Sequence, residues 1–103
     1  MKVFLDDERT TPDGWFRVYT PDQAIALLES DLVTHISLDH DLGDDKGCGT
    51  GYDVILWMEE MVVSGNYTPP HILTHTANPS ARQKMEAGRK QIRKLYERVK
   101  KSD

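Results

Sequence analysis

The residues Asp39-His40-Asp41 set two carboxylates around an imidazole, directly after the apolar segment Ile36-Ser37-Leu38 and just before Gly43 opens a glycine-rich turn. A short apolar run bounded by a turn reads as a buried strand, so these three residues fall at its carboxyl edge. That is the edge at which open α/β sheets bind ligands. A second acidic strand end follows Lys2-Val3-Phe4-Leu5, where Asp6-Asp7-Glu8 stand. Asp6, Asp7 and Asp39, with Asp41 beside them, offer the oxygen ligands that suit Mg²⁺ or Mn²⁺, which keeps several waters and borrows further oxygens from phosphate. His40 and His75 are the groups at this edge that titrate near neutral pH and can move a proton. Asn78-Pro79-Ser80 starts a helix whose N-terminus is an anion site, and Arg82, one turn in, adds a forked donor for phosphate. Arg9 and Glu8 read either as braces for the pocket or as a surface salt bridge.

Positioning these groups on one edge requires a sheet, and the chain alternates strand and helix signals. Strands are expected at residues 2–5, 16–19, 36–38 and 71–76. Thr10-Thr11-Pro12-Asp13-Gly14 carries dense turn chemistry and leaves the first connection too short for a full crossover helix. Thr20-Pro21-Asp22-Gln23 places a capping threonine before proline with glutamine three residues on, and Ala24, Leu27 and Leu28 continue that helix to about residue 30. Residues 43–51 hold four glycines and read as a mobile lid over the acidic pocket. Thr50-Gly51-Tyr52-Asp53 is another capped start, for a helix over 51–64 whose apolar residues Val54 to Met58, Met61 and Val62 leave it largely buried. Trp57 and the methionines are assigned to the core. After Gly65-Asn66 and Pro69-Pro70 comes the fourth strand, and then a last helix with Ala81, Met85, Ile92, Leu95 and Val99 on one stripe and Lys100-Lys101 at its negative pole. Such alternation implies a parallel sheet with right-handed crossovers.

A chain of 103 residues has room for one core, so residues 1–103 are read as a single domain with its site on the core's surface. Cys48 is the sole cysteine, which excludes an intramolecular disulfide and a cysteine-built zinc site. No long apolar run or signal-peptide pattern is present, and a cytoplasmic location is expected. A membrane and a DNA duplex are not expected as partners; the oligomeric state stays open. The net charge of −4 hides a division: residues 1–78 carry four basic and fourteen acidic groups, residues 79–103 nine basic and three acidic. The basic end is either a solvated helix face or a surface that draws phosphate or RNA.

Asp6-Asp7 after the first strand, Asp39 after the third and Thr76-Ala77 after the fourth resemble the metal-binding pair, the acceptor aspartate and the hydroxyl residue of response-regulator receiver domains. The resemblance is closer to a divergent branch, the cyclic-phosphate processing receiver domain. It rests on Val3 to Arg9, Ile36 to Gly43, Gly49-Thr50-Gly51-Tyr52-Asp53 and His75-Thr76-Ala77-Asn78-Pro79 with Arg82 and Met85, all in order. It implies a truncated receiver-like (flavodoxin-like), three-layer α/β fold. The sheet would be four-stranded and parallel in order 2-1-3-4, the first crossover helix reduced to a loop, with a long C-terminal helix. The fifth strand of receivers and the lysine after it find no counterpart, which counts against Asp39 as a phosphoryl acceptor. The resemblance implies instead a metal-dependent phosphodiesterase that hydrolyses cyclic phosphates, on RNA ends or nucleotide signals. Asp6, Asp7, Asp39 and Asp41 would hold Mg²⁺ or Mn²⁺, the catalytic groups would be Asp39, His40 and His75, and Thr76, Asn78 and Arg82 would hold the phosphate. The alternatives are a non-enzymatic receiver or ligand sensor, and a small RNA- or partner-binding protein using the basic helix. The His35-x-Ser37 element lacks the second copy that two-histidine phosphoesterases need. The glycine stretch, with Lys46 inside it, lacks the ending of a nucleotide-binding P-loop.

Overall fold

A computed structural model describes residues 1–42 and 49–101. Most of the expected lid, with Lys46, therefore lies outside the described residues. The elements run β1 (Lys2–Leu5), β2 (Trp15–Val18), α1 (Pro21–Leu28), β3 (His35–Leu38), α2 (Gly51–Ser64), β4 (His71–Thr74) and α3 (Pro79–Lys101). All strand pairs are parallel and the sheet order is β2-β1-β3-β4. This is a receiver-like α/β fold. The fourth strand stops two residues short of expectation, because Thr76 already belongs to the cap of α3: its Oγ1 accepts from the Asn78 N–H at 3.2 Å.

Both expected threonine caps form full capping boxes. Thr20 pairs reciprocally with Gln23 and Thr50 with Asp53, each satisfying amides that the first helical turn leaves without partners. Gly65 ends α2 with φ +93°, a left-handed conformation that glycine adopts without a Cβ penalty. α2 buries Val54, Ile55, Met58 and Val62. It is less enclosed than its composition suggests, since Leu56 and Val63 face outward. Trp57 is half-buried, with its ring edge-on to Tyr67.

The core occupies one side of the sheet. Val3, Leu5, Val18, Ile36, Leu38 and Ile72 join Ala24 and Leu28 of α1, the buried side of α2, and Met85 and Ile92 of α3 in one cluster. Topology explains this. With the β1–β2 connection too short for a helix, α1 and α2 are both right-handed crossovers advancing in the same direction along the sheet, so they land on the same face. α3 follows β4 and packs beside α2. The described residues therefore form two layers where three were expected. The side chains that alternate away from the core, among them Phe4, Trp15, Ser37, His71 and Leu73, carry no described helix over them. No helix among the described residues is long and apolar enough to cross a membrane.

Candidate metal and phosphate site

Parallel register builds the site. Leu5, Leu38 and Thr74 lie level across the sheet, and the backbone ladder continues one residue further: Asp39 N–H donates to Leu5 O at 3.1 Å and His75 N–H to Leu38 O at 3.0 Å. Asp6 N–H likewise donates to Val18 O at 3.2 Å. Asp6, Asp39 and His75 are thus successive members of one cross-strand row on the face opposite the core. Each offers one ligand atom, and those atoms all lie within 4.8 Å of one another. Two carboxylates and an imidazole at that separation fit a divalent cation of the Mn²⁺ type.

Asp6 is fully buried. Its Oδ1 accepts from the Glu8 and Arg9 amides at 2.7 and 2.9 Å, and its Oδ2 accepts from His75 Nε2 at 2.9 Å. Burial pushes this carboxyl up, but the two amides and the imidazole outweigh burial and hold it below the usual carboxylate range. Arg9 and Arg17 stand 3.9 and 4.0 Å away. At Asp39 the balance tips the other way, although His75 and the His40 and Asp41 amides favour its charged form. Burial and then the neighbouring Asp6 charge push it up.

His75 lies between two partners. Its Nδ1 is 2.7 Å from Ser37 Oγ, and its ring stacks on Phe4 with centroids 4.4 Å apart and planes 5° from parallel. Burial lowers its pKa, and that effect exceeds the opposing pull of the Asp6 and Asp39 charges. A neutral ring donating Nε2–H to ionised Asp6 has Nδ1 free to accept from the Ser37 hydroxyl. When Nε2 instead faces a cation, the same hydroxyl accepts from Nδ1–H.

The remaining candidates fall into two groups. Asp7, Glu8, Arg9, Asp41 and Ala77 line an acidic cleft with Asp6 and Asp39, but Asp7 and Asp41 stand outside the three-ligand cluster. Asp41 Oδ1 bonds His40 Nδ1 at 2.8 Å. His40 does not line the cleft, as alternation between Asp39 and Asp41 requires. Thr76, Asn78 and Arg82 hold one another. Asn78 Oδ1 accepts from the Ala81 amide at 3.2 Å, and Arg82 Nη2 donates to Thr76 O at 3.1 Å. They brace the turn that brings Ala77 to the cleft.

Sequence reasoning missed Ser37 and Arg17. The signal for Ser37 was available: a polar residue between Ile36 and Leu38 must point away from the core, toward the face that carries His75. Arg17 reaches Arg9 O and Thr11 Oγ1 with Nη1; nothing in the sequence of β2 marks that reach.

Residues 1–91 match the family model described as the cyclic-phosphate processing receiver domain. The chain belongs to that family. No curated protein and no solved structure matched it.

Proposed function

We propose that this member of the cyclic-phosphate processing receiver domains is a metal-dependent phosphoesterase that opens a cyclic phosphate. The observation that carries the reading is the convergence of Asp6, Asp39 and His75 beside an acidic cleft open to solvent. When bound there, Mn²⁺ or Mg²⁺ supplies charge for the phosphoryl oxygens and acidifies coordinated water. Asp39, raised by its buried and crowded position, gains most from such a cation. Ser37 fixes the ring of His75, and the Glu8 and Arg9 amides fix Asp6, so the donor set is held before substrate arrives. Arg9, whose side chain is 53% exposed, stands on the cleft wall as a donor for the phosphate. Thr76, Asn78 and Arg82 act by holding the Ala77 turn. His75 serves as a ligand, with Nε2 toward the cation and Nδ1 held by Ser37, and His40, which does not line the cleft, takes no part in the proposed reaction.

The test is hydrolysis of 2′,3′-cyclic nucleotides, 3′,5′-cyclic nucleotides and cyclic dinucleotides with Mn²⁺ or Mg²⁺ present. One class should turn over, and Asp39→Asn should abolish that turnover. If none turns over, while acetyl phosphate adds a phosphoryl group to the parent chain and not to Asp39→Asn, Asp39 is a receiver acceptor and the hydrolytic reading is lost.

A further inference from the structure

His35 and His71 begin β3 and β4 and stand level with each other across that parallel pair. They lie at the opposite end of the strands from the acidic cleft. Four residues separate His35 from Asp39, roughly 13 Å at the rise of a strand, so no side chain serves both places. The two rings are edge-on, with centroids 5.5 Å apart and planes at 61°. Both line one solvent-open cleft with Asp31, Thr34 and Asn66. His71 is exposed and His35 half-buried.

The neighbours of His35 decide which of its nitrogens is free. Thr34 Oγ1 has one proton and donates it to Met1 O at 3.2 Å, so toward His35 Nδ1, 3.0 Å away, it can only accept. Nδ1 therefore carries the hydrogen, and Nε2 of the neutral ring keeps its lone pair. A ligating histidine is arranged in this way, one nitrogen toward the metal and the other donating to an oxygen that fixes the ring. Trp15, edge-on at 6.5 Å, packs against the same ring. Thr34 also ties down the second histidine, since His71 N–H donates to Thr34 O at 2.9 Å. Imidazole–metal bonds of about 2.0–2.1 Å at a tetrahedral angle set two ring centroids roughly 5 Å apart, close to the separation present. Packing accounts for the ring contact; a free lone pair beside a second imidazole is what a cation requires. Among the described residues no carboxylate joins the pair in a three-ligand cluster, so water completes the shell. Lys2, next in the row, turns its ammonium toward the Trp15 ring, 5.8 Å from its centroid, while Asp31 sets a negative charge on the cleft wall. Two imidazoles without a carboxylate favour a borderline cation, Zn²⁺, Cu²⁺ or Ni²⁺, over hard Mg²⁺.

We propose that His35 and His71 form a metal site of their own for a borderline divalent cation of the Zn²⁺ type, clipping the start of β4 to β3 and separate from the Asp6–Asp39–His75 cluster. It does not depend on the function proposed above. Calorimetric titration of the full chain with Zn²⁺ tests it, with the acidic cleft as a second acceptor of the same ion. The parent should bind one Zn²⁺ that His71→Ala, a change at an exposed position that folding tolerates, loses and Asp39→Asn keeps. Zinc held by the cleft should show the reverse pattern. Thr34→Val retains the main-chain bonds and removes the oxygen that fixes His35, so it should weaken the histidine site roughly tenfold, the low end for losing a group that orients a ligand. Mg²⁺ in excess should not displace zinc there. Binding lost in His71→Ala and retained in Asp39→Asn supports the site whether or not the cleft holds metal or hydrolyses any phosphate. Binding lost in Asp39→Asn and untouched by His71→Ala would overturn it while leaving the cleft intact. Equal Zn²⁺ affinity and stoichiometry in the parent, His35→Ala and His71→Ala would show that the two rings only pack, and would overturn it as well.

Discussion

Asp39 and Ser37 are the residues on which the site reading turns. Asp39 has its pKa raised by burial and by Asp6, so its contribution to stability is held while it is protonated, below its ordinary 3.8, and is lost as pH rises through the raised value. Asp6 and His75 run the other way. Both are lowered, so what they contribute is present above their ordinary values of 3.8 and 6.5 and is lost as pH falls through the lowered ones. At pH 7 without metal, Asp39→Asn should therefore raise the melting temperature, because it removes the crowded charge. Divalent cation should raise the parent's melting temperature, by an amount equivalent to about 2.7 kcal/mol at a hundredfold excess over Kd, and leave Asp39→Asn nearly unmoved. Thermal melts with and without Mn²⁺ check both; an equal metal response in the two proteins would place the cation elsewhere. Ser37→Ala separates orientation from bulk stability. Losing one hydrogen bond to His75 should cost about 1 kcal/mol of folding stability. Losing the group that fixes a ligating imidazole should weaken Mn²⁺ roughly 10- to 100-fold, measurable by titration calorimetry.

The elements show what the sequence could and could not say. Every helix start was legible because each carries its own chemistry: Thr20 with Gln23, Thr50 with Asp53, and Asn78 before Pro79. Strand order came with the family resemblance, and the short first connection agreed with it. Strand ends were less legible, since Thr74 and Thr76 look alike until the cap of α3 claims the second. The acidic strand ends were visible as residues, yet Asp7 dropped out of the ligand cluster and His75 entered it, because one residue of register decides which face a side chain takes. Close approach was invisible as well. A Cβ on Gly51 would lie 2.0 Å from the Asp39 carbonyl oxygen, so the N-terminus of α2 rests on the backbone of a candidate ligand. Gly51→Ala must push the two apart. It should destabilise by several kcal/mol, as overpacking against a rigid backbone does, and lower cation affinity in whatever fraction remains folded. Gly65→Ala meets nothing within 4 Å and is strained only by its φ of +93°. It serves as the control: a loss of about 1 kcal/mol with cation affinity unchanged. If both variants bind Mn²⁺ as the parent does, α2 does not position Asp39.

For the whole molecule the telling property is the separation of charge. The acidic groups crowd residues 1–78, while α3 carries nine cations over its 23 residues and extends roughly 35 Å from a start near the cleft. The proposed anionic substrate would meet carboxylates at the cleft, which would repel it until a cation neutralised them. Lys90 and Lys94, both exposed, lie on the order of 16 to 23 Å along the helix from its first turn. Their field there is screened at about 8 Å in physiological salt but reaches roughly 30 Å at 0.01 M. Steering by α3 is therefore a low-salt effect, on association and not on the chemical step. With cation saturating, Lys90→Glu combined with Lys94→Glu should lower kcat/KM for an anionic substrate several-fold at 0.01 M salt, converge on the parent near 0.15 M, and leave kcat unchanged throughout. A steady-state salt series on the two proteins checks this. A deficit that persists undiminished at high salt would mean that these lysines touch the substrate directly, and a fall in kcat would place α3 in the catalytic step.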